Sequence, residues 1–135
     1  MGFSGDLARF VYRTQRRMIA TFQTSAQILA EEIIERTPID TGFLRASFTV
    51  SLNAPVLMDG SEGGAQNLAE IAKAGIGDTI YLGFTARYAR RIEYGFEGPD
   101  SLGRVYHQRG EGMVRLSAQN WPFHVKQAIQ ELKAT

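Results

Sequence analysis

The sequence predicts an α+β fold in which a long N-terminal helix and a C-terminal helix pack on a small, mainly antiparallel β-sheet. Three observations support this class: a helical apolar period early in the chain, an alternating apolar period after it, and a second helical pattern at the end. The chain has 135 residues, which is the size of one domain with a single core. Residues 1–135 are therefore expected to form one domain.

A long amphipathic helix is predicted at about 4–36. No glycine or proline lies between Gly5 and Pro38, and Ser4 is a suitable N-cap. Apolar residues recur at alternating spacings of four and seven, which corresponds to roughly 3.67 residues per turn: Leu7, Val11, Met18, Phe22, Leu29 and Ile33. Such a helix is roughly 45 Å long. Part of its apolar stripe either contacts a neighbouring subunit or is covered by a domain that the helix spans completely.

A turn is predicted directly after this helix. Pro38 removes a backbone donor and pushes Thr37 out of the helical region, so the helix ends there. Asp40 and Thr41 can hydrogen-bond to their own backbone, and Gly42 can supply a positive φ. We expect this turn to fix the angle between the helix and the next element.

Strands are predicted where the apolar period changes to two. The first strand is expected at about 43–52, with these residues on one face: Leu44, Ala46, Phe48, Val50 and Leu52. A second strand is expected at about 79–85, in the sequence TIYLGF and its flanks. A third is expected at about 113–118.

Two further helices are predicted in the second half of the chain. A short helix at about 86–94 has Tyr88 and Ile92 on one side and ends before Gly95. The C-terminal helix at about 121–133 has Asn120 as its N-cap and Pro122 in its first turn.

Two segments are predicted to connect these elements. Residues 53–77 contain two glycine clusters around a short helical stretch that ends at Gly75. Residues 96–112 contain four glycines and a proline, which predicts a mobile loop.

Composition excludes several kinds of protein. The chain has no cysteine, which excludes disulfides, thiol catalysis and cysteine-bound zinc. No stretch approaches the roughly 20 apolar residues of a membrane span, and the first residues lack a signal sequence, so a cytosolic product without a membrane partner is expected. The net charge is only +1. Arginine nevertheless forms two clusters that are candidate interfaces or solvated helix faces: Arg13, Arg16, Arg17, Arg87, Arg90 and Arg91.

Catalytic chemistry finds little support in the residues. Asp40, Thr41 and Gly42 form the tripeptide of aspartic proteases, but a helix rather than a strand precedes them and bulky Phe43 follows. A dimeric aspartic protease is therefore a distant third hypothesis. His107 and His124 lack a metal-binding spacing and are expected at the surface. No catalytic, cofactor-binding or metal-binding residue is predicted.

Nucleic-acid binding is the second hypothesis. The arginines of the second cluster interleave with Tyr88 and Tyr94, and a glycine-rich loop adds Arg104 and Arg109. Acidic neighbours halve this local excess of positive charge. A nucleic-acid-binding accessory protein, with non-specific DNA contacts, remains an alternative.

Two segments in order resemble a bacteriophage family. The run RTPIDTGFLRASF, followed about forty residues later by ARYARRIEYG, is similar to the minor tail, tail-completion or head-tail joining (neck) proteins of long-tailed, lambda-like phages. The matching residues are Thr37, Pro38, Asp40, Thr41, Gly42, Leu44, Arg45, Ser47, Tyr88, Ala89, Glu93, Tyr94 and Gly95, with Pro122 and Phe123 in the last helix. The central stretch 53–77 is longer than the family pattern requires.

The resemblance implies a structural virion component without catalytic activity. Such a protein is expected to form a ring, commonly of six subunits, and to contact neighbouring neck and tail proteins in the virion after assembly in the bacterial host cytoplasm. A gene transfer agent would use the same component. Within the motifs, we expect Glu93 to fix the end of the short helix, either by accepting hydrogen bonds or by pairing with an arginine such as Arg45.

Overall fold

The computed structural model describes residues 2–39, 42–60, 65–99 and 101–134. Its elements are helix α1 (Phe3–Arg36), helix α2 (Phe43–Ala46), strand β1 (Phe48–Leu52), a 3₁₀ helix (Ala65–Lys73), strand β2 (Ile80–Phe84), helix α3 (Ala89–Tyr94), strands β3 (Gly95–Pro99) and β4 (Val105–Arg109), and helices α4 (Met113–Gln119) and α5 (Trp121–Ala134). The α+β class is confirmed, with a long N-terminal helix, a C-terminal helix and small antiparallel sheets.

Helix α1 has 34 residues, about 51 Å at 1.5 Å per residue. Gly2, not Ser4, precedes its first residue, so the predicted N-cap is wrong. Among the described residues, its C-terminal half packs on the rest of the protein, against α4, α5 and the 3₁₀ helix. Ala26, Ala30 and Ile33 are buried there. From Phe3 to Met18, by contrast, every residue except the half-buried Gly5 is exposed.

The core forms where α1 meets a two-stranded antiparallel sheet. In this sheet β1 pairs with β2, and Phe48 lies opposite Phe84. Their rings meet edge to face with centroids 5.4 Å apart. Leu44, Val50, Ile71 and Met113 complete the buried cluster.

The first predicted strand begins too early. Residues 43–46 form α2 instead, because Gly42 adopts a left-handed φ of 78° and starts a helical turn. The amide of Ala46 then bonds to the Gly42 carbonyl at 3.1 Å. Leu44 and Phe48 are both buried four residues apart, a helical spacing that an alternating pattern also contains.

The predicted strand at 113–118 is wrong. These residues belong to helix α4, with Met113 and Ser117 fully buried one turn apart. The predicted mobile loop at 96–112 is also wrong in part, since β3 and β4 form an antiparallel hairpin there, from the pair Gly95 and Arg109 to the pair Pro99 and Val105.

The connection between β1 and β2 is closed by side chains as well as backbone. Asn53 accepts from the Thr79 amide at 2.9 Å and donates to Asp78 at 3.1 Å. The Gly75 amide donates to the same carboxylate at 2.7 Å. These two hydrogen bonds lower the pKa of Asp78, the Gly75 amide having the larger effect.

Candidate functional site

The first motif closes the C-terminal end of α1. Thr37 is buried, and its Oγ1 donates to the Ile33 carbonyl at 2.7 Å. Arg45 then reaches back from α2: its Nε donates to the Thr37 carbonyl at 2.8 Å and its Nη2 to the Glu35 carbonyl at 3.3 Å. A guanidinium at a helix C-terminus satisfies carbonyls that have no helical partner. Asp40 and Thr41, the centre of the predicted turn, lie outside the described residues.

The two motifs meet beside α2. The carbonyl of Ser47 accepts from the Thr85 amide at 3.0 Å and from Thr85 Oγ1 at 3.3 Å. Tyr88, at the start of α3, stacks on Phe43 with ring centroids 6.1 Å apart. Leu44 and Ala89 are both buried here. The motifs therefore build one continuous region although about forty residues separate them in sequence.

Glu93 joins α3 to α4. Its side chain is buried, and its two carboxylate oxygens accept from the backbone amides of Val114 and Arg115, both at 2.9 Å. These amides belong to the first turn of α4, where a carboxylate compensates unpaired donors and the positive end of the helix dipole. Glu93, at the end of the short helix, thus accepts hydrogen bonds as expected, and their donors belong to the N-terminal turn of α4. Among the described residues, no ion pair joins it to Arg45.

Glycine allows the backbone to pass close to Glu93. A Cβ at Gly95 would lie 2.5 Å from the Gln108 carbonyl oxygen, and a Cβ at Gly110 would lie 2.6 Å from the Glu93 carbonyl oxygen. The same approach permits hydrogen bonds from Glu111 to the Ile92 carbonyl at 2.7 Å and from Gly112 to the Glu93 carbonyl at 3.1 Å. Gly95 of the second motif is therefore required by close packing, and also by its φ of 86°.

Two grooves border these motifs. One, with a volume of about 690 Å³, lies between them and is lined by Ile39, Phe43, Tyr88, Ile92 and Gln108, among others. The other, about 530 Å³, lies over β2, α3 and α4. Within the described part of the chain, no group of three or more His, Cys, Asp or Glu side chains could hold a metal ion.

The arginine clusters differ in their surroundings. Arg87, Arg90 and Arg91 are exposed near the second motif, and the Arg91 guanidinium lies 4.2 Å from the centre of the Phe96 ring. Tyr94 beside them is also exposed.

Arg13, Arg16 and Arg17 lie on the exposed half of α1, far along the helix from the two motifs. Arg16 lies over the Tyr12 ring at 5.8 Å and donates to its hydroxyl at 3.3 Å.

A buried polar cluster was missed by sequence reasoning. His124 is buried rather than at the surface as predicted, with Nε2 2.8 Å from Glu32 Oε2 and 3.2 Å from the Ser117 carbonyl oxygen. Asn120, the predicted N-cap of the last helix, donates a hydrogen bond from its side-chain amide to the Glu32 carboxylate at 2.8 Å. The spacing of four between Asn120 and His124 was the available signal, because it puts both on one helix face.

Electrostatics sets the charge state of Glu32. Partial burial acts to raise its pKa, but hydrogen bonds from Asn120 and Arg36, together with electrostatic interactions with His124 and Arg36, outweigh that effect. The pKa of Glu32 is therefore below its ordinary value, and the carboxylate stays ionised where it links α1 to α5.

The fold and the site define a class of α+β protein with two properties. The residues of its two motifs connect secondary-structure elements to one another, and its longest helix extends beyond the core. The family model described as "Bacteriophage HK97-gp10, putative tail-component" matches residues 5–95, a range that contains both motifs and all of α1 except its first two residues. The chain belongs to this HK97 gp10-like family of phage tail components. No curated protein and no solved structure matches the chain significantly. Among the described residues, no helix is long and apolar enough to cross a membrane.

Proposed function

We propose that this protein completes the tail or joins it to the head at the neck of a phage, or of a gene transfer agent, and that it acts as a ring of identical subunits. Its work is structural: it binds copies of itself and neighbouring neck and tail proteins, and it catalyses no reaction. The ring has six subunits if this chain follows the family that it resembles.

One observation supports the part of this proposal that family membership does not give, namely assembly with other subunits. The N-terminal half of α1 exposes large apolar side chains that a monomer leaves in water. They are Phe3, Leu7, Phe10, Val11, Tyr12 and Met18. A surface helix ordinarily turns such a stripe toward a core. A subunit of an assembly has a neighbour available to cover it.

The motif region supports the same role in a different way. Arg45 donates to backbone carbonyls at the C-terminal end of α1, and Glu93 accepts from backbone amides of α4. These contacts fix α2 against α1 and α3 against α4, so the projecting half of α1 extends from a well-tied body. A rigid subunit with a projecting contact surface forms a defined ring more readily than a flexible one.

The location of the protein in purified particles tests the proposal. Gold-labelled antibody against the protein should bind at the junction of head and tail in electron micrographs, with a constant number of copies per particle by quantitative mass spectrometry. Absence of the protein from purified particles would overturn the proposed structural role, whatever its behaviour in solution.

A further inference from the structure

We propose that the projecting half of α1 docks, head to tail, into an acidic groove on a second copy of the same chain, an inference that rests on the proposed ring and assigns its two contact surfaces. The donor surface is residues 3–18 of α1. The acceptor surface is a groove, about 530 Å³ in volume, between the C-terminal half of α1, the 3₁₀ helix and α5. Each copy has both surfaces, so each can donate to one neighbour and accept from another.

The donor surface is apolar and basic. Phe10 is 67% exposed, and Arg13 and Arg17 follow it at spacings of three and seven, which puts all three residues on one side of the helix. Asp6 pairs with Arg9 at 2.7 Å. In the described residues, neither Arg13 nor Arg17 makes an ion pair or hydrogen bond, so both cations are available to a partner.

The acceptor groove has the complementary chemistry. The half-buried Ile28 supplies apolar surface beside the buried Ile71, and Glu31 and Glu131 lie on opposite helices along the groove. Each carboxylate has only a glutamine on its own helix as a partner in the part of the chain described: Gln27 donates to Glu31 at 3.4 Å, and Gln127 donates to Glu131 at 3.0 Å.

The groove also has a fixed wall. The Gln23 side-chain amide donates to the carbonyls of Ala72 and Ala74, at 3.1 and 2.8 Å, and so ties the 3₁₀ helix to α1. A docking helix therefore meets a groove that is already formed.

The overall charge distribution agrees with this pairing. Residues 3–18 contain four of the fifteen basic residues and one of the fourteen acidic residues, so the rest of the chain holds eleven basic and thirteen acidic residues. Opposite charges on two surfaces favour their encounter and disfavour contacts between two copies of the same surface.

Helix continuity requires that the contact be intermolecular. Arg13 and Glu31 lie on one unbroken α-helix, eighteen residues and so about 27 Å apart along the axis. The donor surface cannot fold back onto its own groove while α1 stays helical. A contact between two different surfaces of identical chains is heterologous, and it closes into a ring when the rotation between neighbours permits.

Two variants that each disable one surface test this pairing. Phe10→Asp disrupts the donor surface and leaves the groove unchanged. The double variant Glu31→Arg with Glu131→Arg reverses the charge of the groove and leaves the donor surface unchanged. Analytical ultracentrifugation should find the wild type in oligomers, and added salt should weaken their association. Each variant should need at least about a tenfold higher concentration to assemble, because the apolar contact is lost or like charges face each other. An equimolar mixture should form a dimer with twice the 15.0 kDa chain mass, because only one competent contact remains.

Matched controls separate this contact from general effects of charge. Lys126→Glu alters the same helix α5 without lining the groove and should assemble like the wild type. Arg13→Glu provides a second donor variant should Phe10→Asp prove poorly folded by circular dichroism.

Three results would overturn the inference: a monomeric wild type at all concentrations, a groove variant that assembles like the wild type, or a mixture that stays monomeric. Phe10-dependent binding to anionic vesicles, random DNA or another tail protein without self-assembly would assign the donor surface to that partner instead and also contradict it. Gold labelling at the neck combined with any of these results would leave the proposed function standing and reject only this contact.

Discussion

Glu93 and Val114 are joined across 21 residues of sequence by a hydrogen bond of 2.9 Å from the Val114 amide to the Glu93 carboxylate. This bond, with its neighbour from Arg115, supplies α4 with the N-terminal cap that its own sequence lacks, since Gly112 stands at the cap position. A glutamate at the end of one helix thereby starts another. The acidic residue of the second motif is explained by this contact.

We expect Glu93→Gln to destabilise the protein by about 1 to 3 kcal/mol. The amide keeps one oxygen acceptor but turns an NH₂ group toward a backbone N–H, and the charge that favours the helix N-terminus is lost. Urea denaturation measures the change, with the exposed Glu97→Gln as the control. Equal stability of the Glu93 variant and the wild type would refute the capping role.

Gly110→Ala should destabilise the protein by about 2 kcal/mol or more, because the new methyl group would lie 2.6 Å from the Glu93 carbonyl oxygen. The φ of Gly110 is not positive, so this substitution tests close approach alone. Gly75→Ala is the matched control, since its Cβ would be 3.7 Å from its nearest neighbour. Thermal melting should separate the two variants, and similar melting temperatures would contradict the packing described.

Thr37→Val should cost about 1 kcal/mol of unfolding free energy. The Thr37 amide donates to the Ile34 carbonyl, so the hydroxyl supplies the hydrogen bond to the buried Ile33 carbonyl. Thr14 makes the same type of bond, to Phe10 at 2.9 Å, on the exposed half of α1. Thr14→Val should therefore change stability little in the same denaturation experiment, and a larger loss there than at Thr37 would be evidence against the assigned role.

Stability should fall in acid through Glu32. Its folded pKa lies below the ordinary value of 4.5, so its contribution is fully present above that value and disappears as pH falls through the folded pKa. The difference in unfolding free energy between wild type and Glu32→Gln should shrink across that window. Asn120→Ala removes the hydrogen bond that lowers the pKa of Glu32 most, so the folded pKa should move closer to 4.5. The pH range over which the difference shrinks should then become narrower. A difference that is independent of pH would contradict the ionised state of Glu32.

Helices α1 and α5 and strand β2 could be predicted from residues within the elements themselves. The uninterrupted apolar period predicts α1, the alternation around Leu82 predicts β2, and Pro122 helps to place α5. The two motifs also identify a region that the fold brings together, because Tyr88 stacks on Phe43.

Elements that depend on distant partners were missed. Helix α4 begins where Glu93 binds its amides, and nothing near Met113 in sequence indicates that cap. Strand β4 pairs with β3, and the glycine content of 96–112 hides this pairing. His124 is buried only because α5 lies on α1 beside Glu32, a packing relationship that periodicity does not contain.

The length of α1 was predicted, but the extent of its exposure was not. Its repeat runs without change from Leu7 to Ile33, yet only the C-terminal half is buried. The boundary between the two halves is set by the size of the core beneath them. This exposure is the observation from which we propose that the N-terminal half of α1 contacts a neighbouring subunit.

Electron microscopy of particles from a strain that lacks this gene tests the central claim most directly. The claim predicts tails separated from DNA-filled heads, restored to complete particles by a plasmid that carries the wild-type gene. Normal, fully joined particles from the deletion strain would contradict it.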